Sequence, residues 1–166
     1  MANKTDKAIA IHRVSGRLHA IEEVRDEVSK AITRIASPLQ VELLREDLAQ
    51  LFAGALMLGA PIALTEEVWT LGVTLSPGRI LLIAVVSFLI NSLLVKLLFY
   101  PDNLPDYRYE FFKRVIASYV IALTAALLLL VLFDKGLIDD PALALKRAVI
   151  IALPASFAAT VVDSIR

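Results

Sequence analysis

The sequence predicts an all-α integral membrane protein: a four-span transmembrane helical bundle preceded by an N-terminal amphipathic coiled-coil helix. Three observations predict this fold. Of the 166 residues, 58% are hydrophobic, with a mean hydropathy of +0.71, which exceeds the apolar share of ordinary soluble domains. The apolar residues are gathered in four blocks that carry no charge. Residues 1–47, which precede these blocks, instead repeat apolar positions at heptad spacing.

The four uncharged blocks cover residues 48–64, 80–95, 115–133 and 148–162. A membrane-spanning helix needs about 20 mostly apolar residues. The first and third blocks meet this length directly, the second does so if Lys96 snorkels outward, and the fourth is the shortest and contains Pro154. We therefore predict spans at about 48–65, 79–99, 113–133 and 144–163. A water-soluble bundle is disfavoured because residues 115–133 offer no polar helix face.

The segment 1–37 is predicted to be a cytoplasmic coiled-coil helix, followed by an amphipathic connector at 38–47 and the transmembrane domain at 48–166. Arg25 interrupts the heptad seam once, and Pro38 ends the helix. Acidic residues on the polar face favour oligomerisation over binding to the membrane surface. We expect a homo-oligomer of three or more subunits, held together by the apolar seam residues Ile11, Val14, Leu18, Ile21, Val28, Ile32 and Ile35.

Composition excludes several classes of function. The chain has no cysteine and zero formal net charge, which removes thiolate chemistry and any bulk field that would attract nucleic acid. Its two histidines, His12 and His19, lie outside the apolar blocks, and no phosphate-binding loop or nucleophile motif is present. We therefore expect no catalytic residue, no metal, no cofactor and no nucleic-acid partner; the expected partners are copies of the chain, lipid and inorganic cations.

The distribution of basic residues predicts the orientation. Arg79 is the one basic residue between the first two spans, whereas a larger group flanks the first span or separates the second and third: Lys30, Arg34, Arg45, Lys96, Arg108, Lys113 and Arg114. Basic loops stay in the cytoplasm. Both termini are therefore predicted to be cytoplasmic, in a prokaryotic plasma membrane.

Polar residues at membrane depth suggest an ion pathway. Thr65, Glu66 and Glu67 lie at the outer end of the first span, and Asn91 lies within the second. In an oligomer, copies of one glutamate would form a ring that concentrates cations. The alternative is that the alanines of the first span form a packing seam and the glutamates are interfacial anchors. Lys96 and Asp163 are predicted to lie at similar depth and to form an ion pair.

The segment Leu64-Thr65-Glu66-Glu67-Val68-Trp69-Thr70-Leu71-Gly72, followed by Ser76-Pro77 and the second apolar block, resembles a family of small uncharacterised prokaryotic integral membrane proteins. In that family the first span ends in a Thr-Glu-x-Val-Trp type motif. The resemblance covers residues 45–165. It implies a multi-span prokaryotic membrane protein and supplies no activity.

The function predicted from the sequence is therefore a homo-oligomeric, cation-selective membrane channel or transport protein with a glutamate ring at the outer end of the first span. The alternative is a non-conducting membrane scaffold whose coiled coil organises cytoplasmic partners.

Overall fold

The computed structural model describes residues 8–14, 17–25, 32–38, 43–100, 107–134 and 140–165. The chain divides into two units, residues 1–42 and residues 43–166. Within the described residues the elements are the strands β1 (Ala8–Val14), β2 (Arg17–Arg25) and β3 (Ile32–Pro38) and the helices α1 (Arg45–Ala63), α2 (Glu66–Thr74), α3 (Pro77–Phe99), α4 (Arg108–Leu132) and α5 (Pro141–Ser164).

The described residues of the N-terminal unit form a three-stranded antiparallel sheet in the order β1-β2-β3. Val14 lies opposite Arg17 in the first pair of strands, and Arg25 lies opposite Ile32 in the second. The predicted coiled-coil helix is therefore not confirmed. Of its seam residues, Val28 lies outside the described residues, and the remaining six lie in strands: Ile11, Val14, Leu18, Ile21, Ile32 and Ile35.

Two features of the sequence account for this difference. The seam is rich in isoleucine and valine, whose β-branched side chains fit a pleated sheet better than a helix. Ser15-Gly16, a dipeptide typical of turns, separates β1 from β2 in the sequence and was passed over by the heptad pattern. Spacing alone did not distinguish a helical seam from short strands.

The membrane domain contains three described helices that are long and apolar enough to cross a bilayer: α3, α4 and α5. They coincide closely with the predicted second, third and fourth spans. The predicted first span falls on α1, which is followed after two residues by α2 at an angle of 82°. The α1–α2 pair counts as a fourth span only if the bent pair is taken as one crossing, so the predicted count of four spans is not confirmed.

Helix α5 lies at the centre of the domain, because α1, α2, α3 and α4 all pack against it. Its packing face consists largely of alanine, and small side chains let neighbouring helix backbones approach closely. At Gly54 of α1, a Cβ atom would lie only 2.8 Å from the Cα atom of Ala159. The fully buried alanines of α5 are Ala144, Ala148, Ala152, Ala155 and Ala159.

Helices α1 and α5 run antiparallel along the domain. Leu51 and Ala159 share one buried apolar cluster, and Ala63 and Ala148 share another. We call the end that contains the start of α1 and the end of α5 the arginine end, after the buried Arg114, and the opposite end the bend end. Helix α3 packs on α4 and α5 and leaves most of its apolar surface exposed, as expected for a helix that faces lipid.

Candidate functional site

A buried group of charged side chains lies at the arginine end. Nη1 of Arg114 in α4 donates a hydrogen bond to Oδ2 of Asp163 in α5, and Nη2 lies 3.3 Å from Oδ2 of Asp47 in α1. The three side chains are only 1–2% exposed. Guanidinium groups suit such sites because their fixed, planar donors can serve two carboxylates at once. We refer to these three residues as the arginine cluster.

Aromatic and backbone groups complete the surroundings of the arginine cluster. The guanidinium carbon of Arg114 lies 4.0 Å from the centre of the Phe99 ring, a cation–π contact. The backbone N–H of Leu44 donates to Oδ2 of Asp47 at 2.8 Å. The phenol of Tyr100 hydrogen-bonds with Arg114, and burial raises the pKa of Tyr100 to about 12 although Arg114 acts to lower it. Tyr100 is therefore a neutral neighbour at physiological pH.

The arginine cluster joins two carboxylates to one guanidinium group. Oδ1 of Asp163 is buried and has no hydrogen-bond partner within the described part of the chain. A buried polar atom without a partner is costly, so Oδ1 of Asp163 is a position where a water molecule or a cation would find an acceptor. The nearby cation Lys113 is exposed and pairs with Glu110 at 3.4 Å.

A second polar layer lies one helical turn deeper. Asn91 of α3 donates to Oγ of Ser118 at 2.7 Å and accepts from Oγ1 of Thr160 at 2.8 Å. Ser118 follows Arg114 by four residues on α4, and Thr160 precedes Asp163 by three on α5. Because these spacings place residues on one helix face, the two layers form a continuous polar column from the arginine end into the domain. Asn91 therefore links α3 to α4 and α5 through side-chain hydrogen bonds.

Apolar packing follows this polar column towards the bend end. The next turns of α4 and α5 place alanine at the helix interface, and Ala122, Ala125, Ala152 and Ala155 are all fully buried. Ser156 is also buried, but its hydroxyl donates to the carbonyl of Leu153 in its own helix. On α4 and α5 the polar column is therefore followed by a layer of alanine, whereas on α3 the fully buried Ser87 lies one turn beyond Asn91.

The bend end contains the other predicted ion-pathway residues. Thr65 precedes α2, and its hydroxyl donates to the carbonyl of Ile62 at 2.8 Å. Glu66 and Glu67 are exposed in the first turn of α2, where the helix dipole favours negative charge. Asn91 belongs to the polar column near the arginine end, so the structure does not bring the four predicted residues together within one protomer.

The predicted Lys96–Asp163 pair is wrong. Lys96 is exposed on α3, whereas Asp163 is buried against Arg114. From the sequence, Arg114 counts among the basic residues between the second and third apolar blocks, and there it serves only to predict orientation. Its position directly before the uncharged block 115–133, and four residues before Ser118, was the signal that it belongs to the helix interface.

The comparisons with known proteins agree with a membrane protein. The family described as "Putative integral membrane protein (DUF2391)" matches residues 10–162. No curated protein and no solved structure matches the chain. The match begins within β1, so it also covers most of the N-terminal unit, which the resemblance seen in the sequence had left out. The predicted membership of an uncharacterised family of membrane proteins is confirmed. That the Thr-Glu-x-Val-Trp motif is characteristic of this family stays a prediction.

Proposed function

Since the chain belongs to this family of integral membrane proteins, we propose that it is a cation transport protein whose ion site is the arginine cluster. The observation that carries this proposal is the almost complete burial of three ionisable side chains, Asp47, Arg114 and Asp163, within the membrane domain. Ionisable groups within a membrane domain are costly, and they commonly mark ion or proton pathways. The simplest ion for the site is a proton, held by one of the two carboxylates.

The polar column supplies the route from the arginine end to the ion site and beyond it. Hydroxyl and amide groups of Asn91, Ser118 and Thr160 can exchange hydrogen bonds with water or an ion as it passes. The alanine layer above them acts as the closed gate. Proline within a helix permits bending, and Pro61 in α1 and Pro154 in α5 lie where bending would open that layer.

In this proposal α1 is a crossing helix and α2 is the short outer arm of a broken span. The antiparallel packing of α1 against α5 supports this, because it brings the start of α1 and the end of α5 to the arginine end. Both termini of the membrane domain then lie on one side, which we propose is the cytoplasm. Broken spans recur in transporters, where they provide backbone groups for ion binding.

A second candidate keeps the homo-oligomeric channel with a glutamate ring. It is favoured by the exposure of Glu66 and Glu67 at the start of α2, where copies from several protomers could meet. Oligomerisation would then use the N-terminal unit, whose described sheet has β1 and β3 as edge strands, and edge strands can pair between chains. The remaining alternative is the non-conducting scaffold.

Ion flux into liposomes distinguishes these candidates. Purified protein is reconstituted with a pH-sensitive dye inside the vesicles, and proton and potassium gradients are applied in turn. We expect flux from the wild type, an at least tenfold loss in Asp163→Asn and in Asp47→Asn, and partial recovery in Asp163→Glu. Lys113→Gln, at an exposed position on the same helix as Arg114, is the matched control and should leave flux unchanged.

Two results would contradict the proposal. If Glu66→Gln or Glu67→Gln abolishes flux while Asp163→Asn conducts normally, the ion site is the glutamate ring. If the wild type carries no ion under any gradient, the scaffold replaces transport. Each variant is first checked for its thermal melting temperature in detergent, and Asp163→Glu retains a carboxylate for the case in which Asp163→Asn does not fold.

A further inference from the structure

A groove lies between the first halves of α3 and α5, on the outer surface of the membrane domain. Its volume is about 260 Å³, and its walls and floor are formed by Ile80, Leu81, Ala84, Ala142, Leu145 and Val149. Ala84 and Ala142 are the two small side chains of this lining, and their size leaves space between the two helices. Leu81 and Leu145 are 65% and 55% exposed, so the groove opens towards the surroundings of the domain.

Lys146 is the charged member of the groove lining. Its Nζ atom donates to the backbone carbonyl of Leu75 at 3.2 Å, and this bond holds the ammonium at the bend end of the groove. An ammonium carries three donors, so the bond to Leu75 leaves donors for an anion. Asp140, the acidic residue nearest in sequence, uses its carboxylate to accept from the N–H of Leu143 and so caps α5.

The groove has the proportions of a lipid site. Lys146 lies in the second turn of α5, close to where that helix begins, and therefore near the edge of the membrane. From Pro77 to Ala84 the groove follows α3 over a rise of about 10 Å. An open apolar void at this depth is not filled by water, because water needs polar partners. A hydrocarbon chain fills it without such a requirement.

We propose that the groove holds part of one acyl chain of an anionic phospholipid, with the phosphate group of that lipid on Lys146. Basic pockets between transmembrane helices bind anionic headgroups in this way. Helix α3 contributes as well, because it begins at Pro77 without an acidic residue in its first turn and so presents the positive end of its dipole. The site is separate from the arginine cluster, which lies at the opposite end of the domain.

Lipid retention tests the proposal. Protein is purified in detergent with added phosphatidylglycerol or phosphatidylcholine, and the bound lipid is counted by native mass spectrometry. The wild type should retain one phosphatidylglycerol per chain in preference to phosphatidylcholine. Ala84→Phe fills the groove and should lower retention at least fivefold. Lys146→Gln should keep an acyl chain but lose the preference for phosphatidylglycerol.

Two matched variants serve as controls. Leu82→Phe alters a lipid-exposed position of α3 outside the groove lining, and Lys113→Gln removes an ammonium at the arginine end; both should retain lipid as the wild type does. Unchanged retention in Ala84→Phe, or no headgroup preference in the wild type, would overturn the proposal. So would dissociation of an oligomer in Ala84→Phe, which would assign the groove to a second copy of the chain. Ala84→Leu is the milder replacement if Ala84→Phe does not fold. The readout involves no ion flux, so its outcome is independent of the transport assay.

Discussion

The indole N–H of Trp69 donates to the backbone carbonyl of Ala63 at 2.9 Å, and this bond joins α2 to the last residue of α1. The final carbonyl groups of a helix lack partners within that helix. Here the hydroxyl of Thr65 donates a hydrogen bond to the carbonyl of Ile62, and the indole N–H of Trp69 donates one to the carbonyl of Ala63. The Thr-Glu-x-Val-Trp segment therefore has a structural explanation: it ends one helix and starts the next at 82°.

Replacing Trp69 should loosen this bend. Trp69→Phe keeps an aromatic ring and removes the N–H donor, leaving the Ala63 carbonyl without this bond. Spin labels at Met57→Cys and Val73→Cys, both exposed positions in a cysteine-free chain, should show a broader distance distribution by pulsed electron paramagnetic resonance. Tyr109→Phe is the control, and an unchanged distribution in Trp69→Phe would show that the bend does not depend on this bond.

Gly54 should not tolerate a side chain. A Cβ atom there would lie 2.8 Å from both the carbonyl oxygen of Ala158 and the Cα atom of Ala159, and backbone atoms cannot move aside as a flexible side chain can. We expect Gly54→Ala to lower the free energy of unfolding by about 1–3 kcal/mol, the usual cost of overpacking. Gly78→Ala is the control, because a Cβ atom at Gly78 meets nothing within 4 Å. Equal stability of the two variants, measured by unfolding in mixed detergent, would contradict close packing of α1 on α5.

Asn91 should stabilise the domain through its bonds to α4 and α5. Asn91→Leu keeps the size of the side chain and removes its hydrogen bonds to Ser118 and Thr160. We expect the free energy of unfolding to fall by about 1–2 kcal/mol, because each hydrogen bond between membrane helices contributes on average about 0.6 kcal/mol and at most about 1.7 kcal/mol. A double-mutant cycle with Thr160→Val measures the coupling directly. Ser92→Ala is the control, because the Ser92 hydroxyl bonds to its own helix at Phe88. Zero coupling would mean that the bond contributes nothing to stability.

The two ends of the domain should face opposite sides of the membrane. Single cysteines at Thr74, at the bend end, and at Tyr109, at the arginine end, are both exposed positions. An impermeant thiol reagent should label Thr74→Cys in intact cells and Tyr109→Cys only after permeabilisation. Ser29→Cys, in the N-terminal unit, should behave like Tyr109→Cys if the N-terminus is cytoplasmic. Labelling of Tyr109→Cys or Ser29→Cys from outside would reverse the predicted orientation.

The second, third and fourth spans were predictable because a long apolar block such as 115–133 is compatible with few structures other than a membrane helix. The bend between α1 and α2 was not predictable in the same way. It depends on hydrogen bonds from Thr65 and Trp69 to backbone carbonyl groups, and the pattern of side chains along the sequence does not show which carbonyl groups are within reach. The N-terminal strands were missed because isoleucines such as Ile11 and Ile32 satisfy a heptad and a strand equally well, and their pairing depends on contacts between distant residues.

The candidate site was partly predictable. Asn91 could be assigned to helix–helix hydrogen bonding because an amide at membrane depth needs partners. The partner of Asp163 could not be chosen correctly, since Lys96 and Arg114 lie at similar depth and only the rotation of each helix decides which one faces inward. Counting charges along the sequence placed Arg114 in a loop. Its contacts with Phe99 and Asp47 join distant parts of the chain, so only the folded structure reveals them.

The central place of α5 has a consequence for biogenesis. Helix α5 follows α1, α3 and α4 in synthesis, yet each of them packs against it. Until α5 leaves the ribosome, Arg114 lacks Asp163 and Gly54 faces no alanine surface. Although α1 and α3 already pack on α4, the earlier helices lack a large part of their final contacts until α5 is inserted, and insertion of α5 is therefore the step that completes the folded domain. Conditions that delay this helix should expose the unfinished protein to membrane proteases.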